Sequence, residues 1–115
     1  MCIDAIQLMR DPEAVAAEVQ RLLRVGGRSG FTTWEDDARI ADLSGLLESS
    51  QLTVVLRQER DDWRDREIRI FERAQAEAGT TDDPGLANLA EEAERALPML
   101  ADCRRVLVIA QRTIR

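Results

Sequence analysis

The stretch Cys103-Arg104-Arg105-Val106-Leu107-Val108-Ile109-Ala110-Gln111-Arg112 admits two readings, and they lead to different folds. Val106 to Ile109 can be taken as a strand. The same residues also continue a series in steps of three and four: Leu86, Leu89, Ala93, Ala96, Leu100, Cys103, Leu107, Ala110 and Ile114. That series is the seam of an antiparallel bundle or coiled coil. No second segment presents itself as a partner strand, so the helical reading is taken, with the last helix over 84–113.

Working back from it, Asp83-Pro84 places an N-cap and a first-turn proline at the head of that helix. Its acids (Glu91, Glu92, Glu94) precede its arginines (Arg104, Arg105, Arg112, Arg115), as the helix dipole favours. Pro98 removes one backbone hydrogen bond inside it. A long helix over 51–78 comes before, with Gly79 as its C′ residue, and the two make a hairpin. Upstream, Thr32 and Thr33 with Glu35 and Asp36 read as a capping box opening a short helix over 33–48. Asp11-Pro12 repeats the N-cap arrangement inside a first helical stretch over 2–25, which breaks at 11–12 or bends there. Gly26 to Gly30 is a connector; with no lysine and no preceding strand it is not a phosphate cradle. The expected architecture is all-α. It is a small antiparallel helical bundle built on a long hairpin, with shorter N-terminal helices across it, in one domain over 1–115.

The chain has 115 residues, no histidine, no tyrosine and no lysine, so its 16 basic residues are all arginine. Missing histidine removes Ser/His and Cys/His dyads and imidazole metal ligands. Missing lysine removes Schiff-base chemistry and a P-loop. The net charge is −6, and segments 1–50, 51–79 and 80–115 sum to −4, −1 and −1. With no basic segment to neutralise phosphates, nucleic acid is disfavoured as a partner. No apolar run approaches the roughly 20 residues of a membrane span, and Asp4 stands where a secretory leader would be positive. A cytoplasmic protein is expected, with Cys2 and Cys103 as free thiols. An Arg-for-Lys bias from a GC-rich genome accounts for the missing lysine as well as any functional demand does.

The richest stretch chemically runs from Arg57 to Arg73, with six arginines and six acids. On a helix over 51–78, Trp63 lies on a stripe between Leu56 and Ile70, interrupted by Glu59, Arg60, Arg66 and Glu67. Trp and Arg are the residue types that dominate interface hot spots. Trp63, Arg60, Arg66, Glu59 and Glu67 are therefore the candidate partner-binding residues. Glu59-x-x-Asp62 resembles half of the magnesium-binding carboxylate arrangement of the all-α nucleotide pyrophosphohydrolases of the MazG and dUTPase type. The complements available, Glu35-Asp36-Asp37 and Glu91-Glu92-x-Glu94, do not reproduce that family's acidic pair at i, i+3. Glu59 and Asp62 stay as the metal alternative, beside an enzyme whose arginines clamp carboxylates. The leading expectation is a non-catalytic protein that binds another protein, one with a basic surface. It uses no cofactor, forms a homo-oligomer, and acts as an adaptor, inhibitor, immunity protein or chaperone would.

Overall fold

The computed structural model describes residues 2–3, 6, 10–36 and 40–113. The chain is mixed α/β, which corrects the all-α bundle expected above. Its elements run β1 (Cys2–Ile3), α1 (Pro12–Leu22), β2 (Arg28–Glu35), α2 (Leu43–Ser49), β3 (Leu52–Glu59), α3 (Asp61–Glu77), α4 (Pro84–Leu100) and β4 (Arg104–Arg112), with a 3-10 turn at Ala78–Thr80. Four of the expected helix spans need correction. The first, 2–25, is α-helical only over 12–22 within the described residues, and Cys2–Ile3 is a strand. The second, 33–48, holds the end of a strand to Glu35 and most of a seven-residue helix that starts only at Leu43. The third, 51–78, opens as a strand and turns helical at Asp61. The fourth, 84–113, stops being helical at Leu100, and Ile114 lies outside the described residues.

The strands form one sheet in the order β1-β2-β4-β3. β1 runs parallel to β2, with Cys2 opposite Phe31 and Ile3 opposite Thr32. β3 runs antiparallel to β4 from Leu52 opposite Arg112 to Glu59 opposite Val106. The partner strand that could not be seen in the sequence is thus Leu52–Glu59 on one side and Arg28–Glu35 on the other. In β4 the residues Val106, Val108 and Ala110 are buried, while Leu107 and Ile109 are half-buried. That alternation has the period of a strand. A step of four from Cys103 to Leu107 imitated a helical seam because both faces of β4 are apolar.

Two compact units arise: residues 1–60 with 105–115, and residues 61–104. The first holds a continuous core of Ile6, Ala16, Phe31, Ile40, Leu43, Leu47, Leu52, Val106, Val108 and Ala110. Val15 and Val19 of α1 pack on it with Leu23, Leu46 and Val54. As the motif implied, Asp11 caps α1, its carboxylate accepting the Ala14 N–H at 3.0 Å, with Pro12 in the first turn. Gly26 sits at φ +85, a left-handed turn that glycine takes without steric cost. It places the Gly26 N–H 2.6 Å from the Arg112 carbonyl and the Gly27 carbonyl 2.9 Å from the Arg112 N–H. The expected connector is therefore the entry to β2. Thr32, Thr33 and Glu35 are buried residues of that strand, which corrects the capping-box reading.

The second unit is the expected hairpin, shortened: α3 and α4 pack against each other. Asp83 caps α4 through the Gly85 N–H at 2.9 Å, again with proline following. Ala74, Ala93, Leu100 and Cys103 are buried. Among the described residues no helix is long and apolar enough to cross a membrane.

Candidate functional site

Two strand–loop–helix passages converge in the first unit. Leaving the carboxyl end of β1, the chain reaches Arg10 and the Asp11-headed α1. Leaving the carboxyl end of β2, it reaches Ile40–Asp42 and the Asp42-headed α2. The two helix heads line one pocket of about 420 Å³, formed by Arg10, Asp11, Pro12, Glu13, Ile40, Ala41, Asp42 and Leu46. Because β1 and β2 are parallel neighbours, this pocket lies beyond the carboxyl ends of adjacent parallel strands, where open α/β sheets hold their ligands. Its charged lining is three carboxylates and one guanidinium. The Asp11 carboxylate is engaged at its own helix, whereas that of Asp42 makes no capping bond to α2.

The wall containing Asp42 is held by a buried ion pair. Glu35, the last residue of β2, is 1% exposed. Both of its oxygens meet Arg57 of β3: Nη2 to Oε1 at 2.7 Å and Nη1 to Oε2 at 2.9 Å. Oε2 also accepts the N–H of Leu43, the first residue of α2, at 2.7 Å. Arg57 reaches the same helical turn through Ser44 Oγ at 3.3 Å. A bulge permits this. The register between β3 and β4 jumps across Val54 and Leu56, so that Val54 pairs with Ala110 but Arg57 pairs with Val108. An inserted residue re-aims the side chains beyond it, and Arg57 takes the core side with Val108. Hydrogen bonding to Glu35 raises the Arg57 pKa, against a lowering by burial, and the charges of Glu35, Glu59 and Asp42 raise it further. On the opposite side of β2, the Arg105 guanidinium lies over the Trp34 ring, 4.9 Å from its centre.

The residues singled out from the sequence fall elsewhere. Glu59 ends β3, exposed, with its carboxylate 3.7 Å from Arg57. Arg60 follows that strand, and its N–H donates to the Arg105 carbonyl at 2.7 Å. Trp63, Arg66, Glu67 and Asp62 belong to α3, with Trp63 and Glu67 half-buried and Arg66 and Asp62 exposed. The charged stripe is therefore not one helix face, since Glu59 and Arg60 precede α3. For the same reason Glu59-x-x-Asp62 is not an i, i+3 pair on a helix. Asp37, one proposed complement, lies outside the described residues. Among the described residues no group of three or more His, Cys, Asp or Glu comes together to hold a metal ion. Asp11-Pro12 was the one visible signal for the pocket. A second Asp-headed helix after a strand at 28–35 would have completed it, had that strand been recognised.

No protein-family model matches the chain, and no curated protein matches it by sequence. Solved structures do match in fold. The 4+2 cyclase SpnF aligns over 99% of this chain and 48% of its own, with TM-score 0.70 and 15% identity. Phosphoethanolamine N-methyltransferase 2 of Haemonchus contortus aligns over 97% of this chain and 32% of its own, with TM-score 0.72 and 13% identity. A Galdieria sulphuraria protein provisionally named a sarcosine dimethylglycine methyltransferase aligns over 96% and 51%, with TM-score 0.73 and 15% identity. This chain thus shares the mixed α/β fold of those structures, and it spans about half or less of their lengths.

Proposed function

We propose that this chain forms the substrate-holding part of a methyltransferase-type unit, and that its pocket takes a small zwitterion bearing a cationic amine. The observation carrying this is the meeting of two Asp-headed helices at the carboxyl ends of parallel strands. Three carboxylates suit an ammonium group, and Arg10 suits the acidic end of the same molecule. Two of the fold neighbours are named for amine substrates, phosphoethanolamine and sarcosine. A third neighbour is a cyclase, so the fold by itself does not set the reaction; the lining supports the choice.

The Haemonchus enzyme is in complex with S-adenosylhomocysteine in one structure and S-adenosyl-L-methionine in another. Such a group needs a nucleobase slot, partners for a ribose diol and a site for a charged tail. A ligand of that size is ordinarily buried over about 70–90% of its surface. The described lining is one shallow wall with carbon surface from Pro12, Ile40, Ala41 and Leu46. These residues do not fit an S-adenosyl group by themselves.

The test is amide NMR of the protein with phosphoethanolamine and with sarcosine. Shifts at Arg10–Glu13 and Ile40–Asp42, saturating in the millimolar range, are the expected result. Asp42→Asn should weaken both probes several-fold. Absence of shifts at those amides in the wild-type protein would refute the reading.

A second reading, binding to a protein with a basic surface, is favoured by one charge asymmetry. Residues 61–104 carry 12 acids and 6 arginines, while residues 1–60 with 105–115 carry 10 of each. The whole net charge of −6 belongs to the hairpin unit, where the half-exposed Ile70 borders a groove lined by Ala74, Leu86 and Leu89. An amphipathic Leu/Lys helix serves as a probe. Ile70→Asp should weaken its binding although it adds negative charge; tighter binding would reduce the effect to bulk electrostatics and sink this reading.

A further inference from the structure

Glu35 is a fully buried carboxylate with no place in the pocket lining, yet its side chain is bonded to the residue that follows the lining residue Asp42. Glu35 is the last residue of β2, and its side chain accepts the N–H of Leu43, the first residue of α2. The next residue, Asp36, donates its N–H to the Ile40 carbonyl at 3.0 Å. Ile40, Ala41 and Asp42, the pocket-lining residues of this passage, are therefore held at one end by Asp36 and at the other by Glu35, its neighbour in the chain. Arg57 fixes the Glu35 carboxylate bidentately and bonds Ser44 one residue further along α2. A bidentate guanidinium–carboxylate pair sets orientation as well as distance. Removing the Arg57 guanidinium takes a charge partner away from a carboxylate that is 1% exposed, which is costly inside a protein.

We propose that Glu35 is the positioning residue of the pocket, with Arg57 as its anchor: together they set where the Asp42 carboxylate stands and so the preference for an amine. This rests on the small-zwitterion reading above. Glu35 touches no ligand in this scheme. It acts through the first turn of α2, so that Ile40 to Asp42 lie between the Asp36 N–H bond at Ile40 and the Glu35 bond at Leu43. The chemical consequence is selectivity. A carboxylate held at a fixed point discriminates an ammonium group from its amine-free counterpart, whereas a mobile one offers only diffuse charge.

The experiment uses the whole chain and the isosteric variant Glu35→Gln, with two readouts. The first is amide hydrogen exchange. The Leu43 and Leu46 amides should exchange about tenfold faster relative to those of Val106 and Val108, a local opening within a folded protein. The second is the affinity ratio of phosphoethanolamine to ethyl phosphate, which lacks the amine. That ratio should fall several-fold while ethyl phosphate binding holds. If Glu35→Gln does not fold, the double variant Glu35→Gln/Arg57→Gln, a neutral hydrogen-bonding pair, carries the same measurements. Uniform loss of protection across α2 and β4, or an unchanged affinity ratio, would overturn the proposal. If neither probe binds the wild-type protein, the small-zwitterion reading fails, while the exchange pattern still decides whether Glu35 braces the loop.

Discussion

Arg112 Nη1 lies 2.7 Å from the carbonyl oxygen of Leu23, so the last side chain of β4 closes the end of α1 from across 89 residues of sequence. The same nitrogen is 3.1 Å from the Gln20 carbonyl and 3.2 Å from that of Arg21. The final carbonyls of a helix have no partner within it, and a cation there also opposes the negative end of the helix dipole. From the sequence alone, Arg112 falls at the end of its own expected helix over 84–113, where the dipole favours a cation. In the fold it serves a different helix, α1.

Arg112→Met keeps most of the carbon stem and removes the donor. It should cost about 1.5–3 kcal/mol, the range for hydrogen bonds to a charged group. Urea unfolding measures this, and a loss under about 0.5 kcal/mol would mean that water satisfies those carbonyls equally well. Arg112→Lys should recover part of the loss, because it restores charge but not the planar fork.

Glu35 and Arg57 should be strongly coupled. Arg57→Gln takes the bidentate guanidinium away from a carboxylate that is 1% exposed, and breaking a buried pair typically costs about 3–5 kcal/mol. Glu35→Gln leaves the less buried guanidinium and should cost less. The double variant should be more stable than Arg57→Gln alone, and additivity of the two single losses would exclude the coupling. Alkali does not reach this pair under ordinary conditions. Hydrogen bonding to Glu35 raises the Arg57 pKa in the folded state. Its contribution is therefore complete below the ordinary arginine range and fades only as pH rises through the raised value.

Gln51 sits at φ 65 in the turn between α2 and β3. A side chain there costs about 1 kcal/mol relative to glycine, because Cβ crowds the following carbonyl. Gln51→Gly should raise stability by up to that amount, read as a higher melting temperature. A lower one would show that the glutamine side chain makes compensating contacts.

Helix heads were legible in the sequence and strands were not, for a physical reason. Asp11-Pro12 and Asp83-Pro84 declare themselves because capping is local: the donor lies within three residues of the acceptor. Val54 and Ala110 are paired across 56 residues, and nothing near either one announces the other. β3 hid further behind its bulge, which breaks the alternation expected of Leu52-Thr53-Val54-Val55-Leu56. The pocket was missed for the same reason. Of its lining, only the Asp11 cap is visible locally, and it acquires a second wall only once β1 and β2 lie side by side.

Gly45 separates binding from stability most sharply. It lies in the first turn of α2 at ordinary helical backbone, and a Cβ added there would stand 2.8 Å from Asp42 Oδ2. That oxygen is the far end of a rotatable side chain, so the carboxylate swings aside and the backbone does not move. Alanine is the better helix former by about 1 kcal/mol, so Gly45→Ala should hold or raise the melting temperature. Its Asp42 carboxylate, however, is displaced from the pocket wall, and phosphoethanolamine affinity should fall several-fold. A variant that is at least as stable but binds less well isolates the position of one carboxylate as the cause. Unchanged affinity would mean that Asp42 does not meet the ligand, and the amine would then have to be met by Glu13 or Asp11.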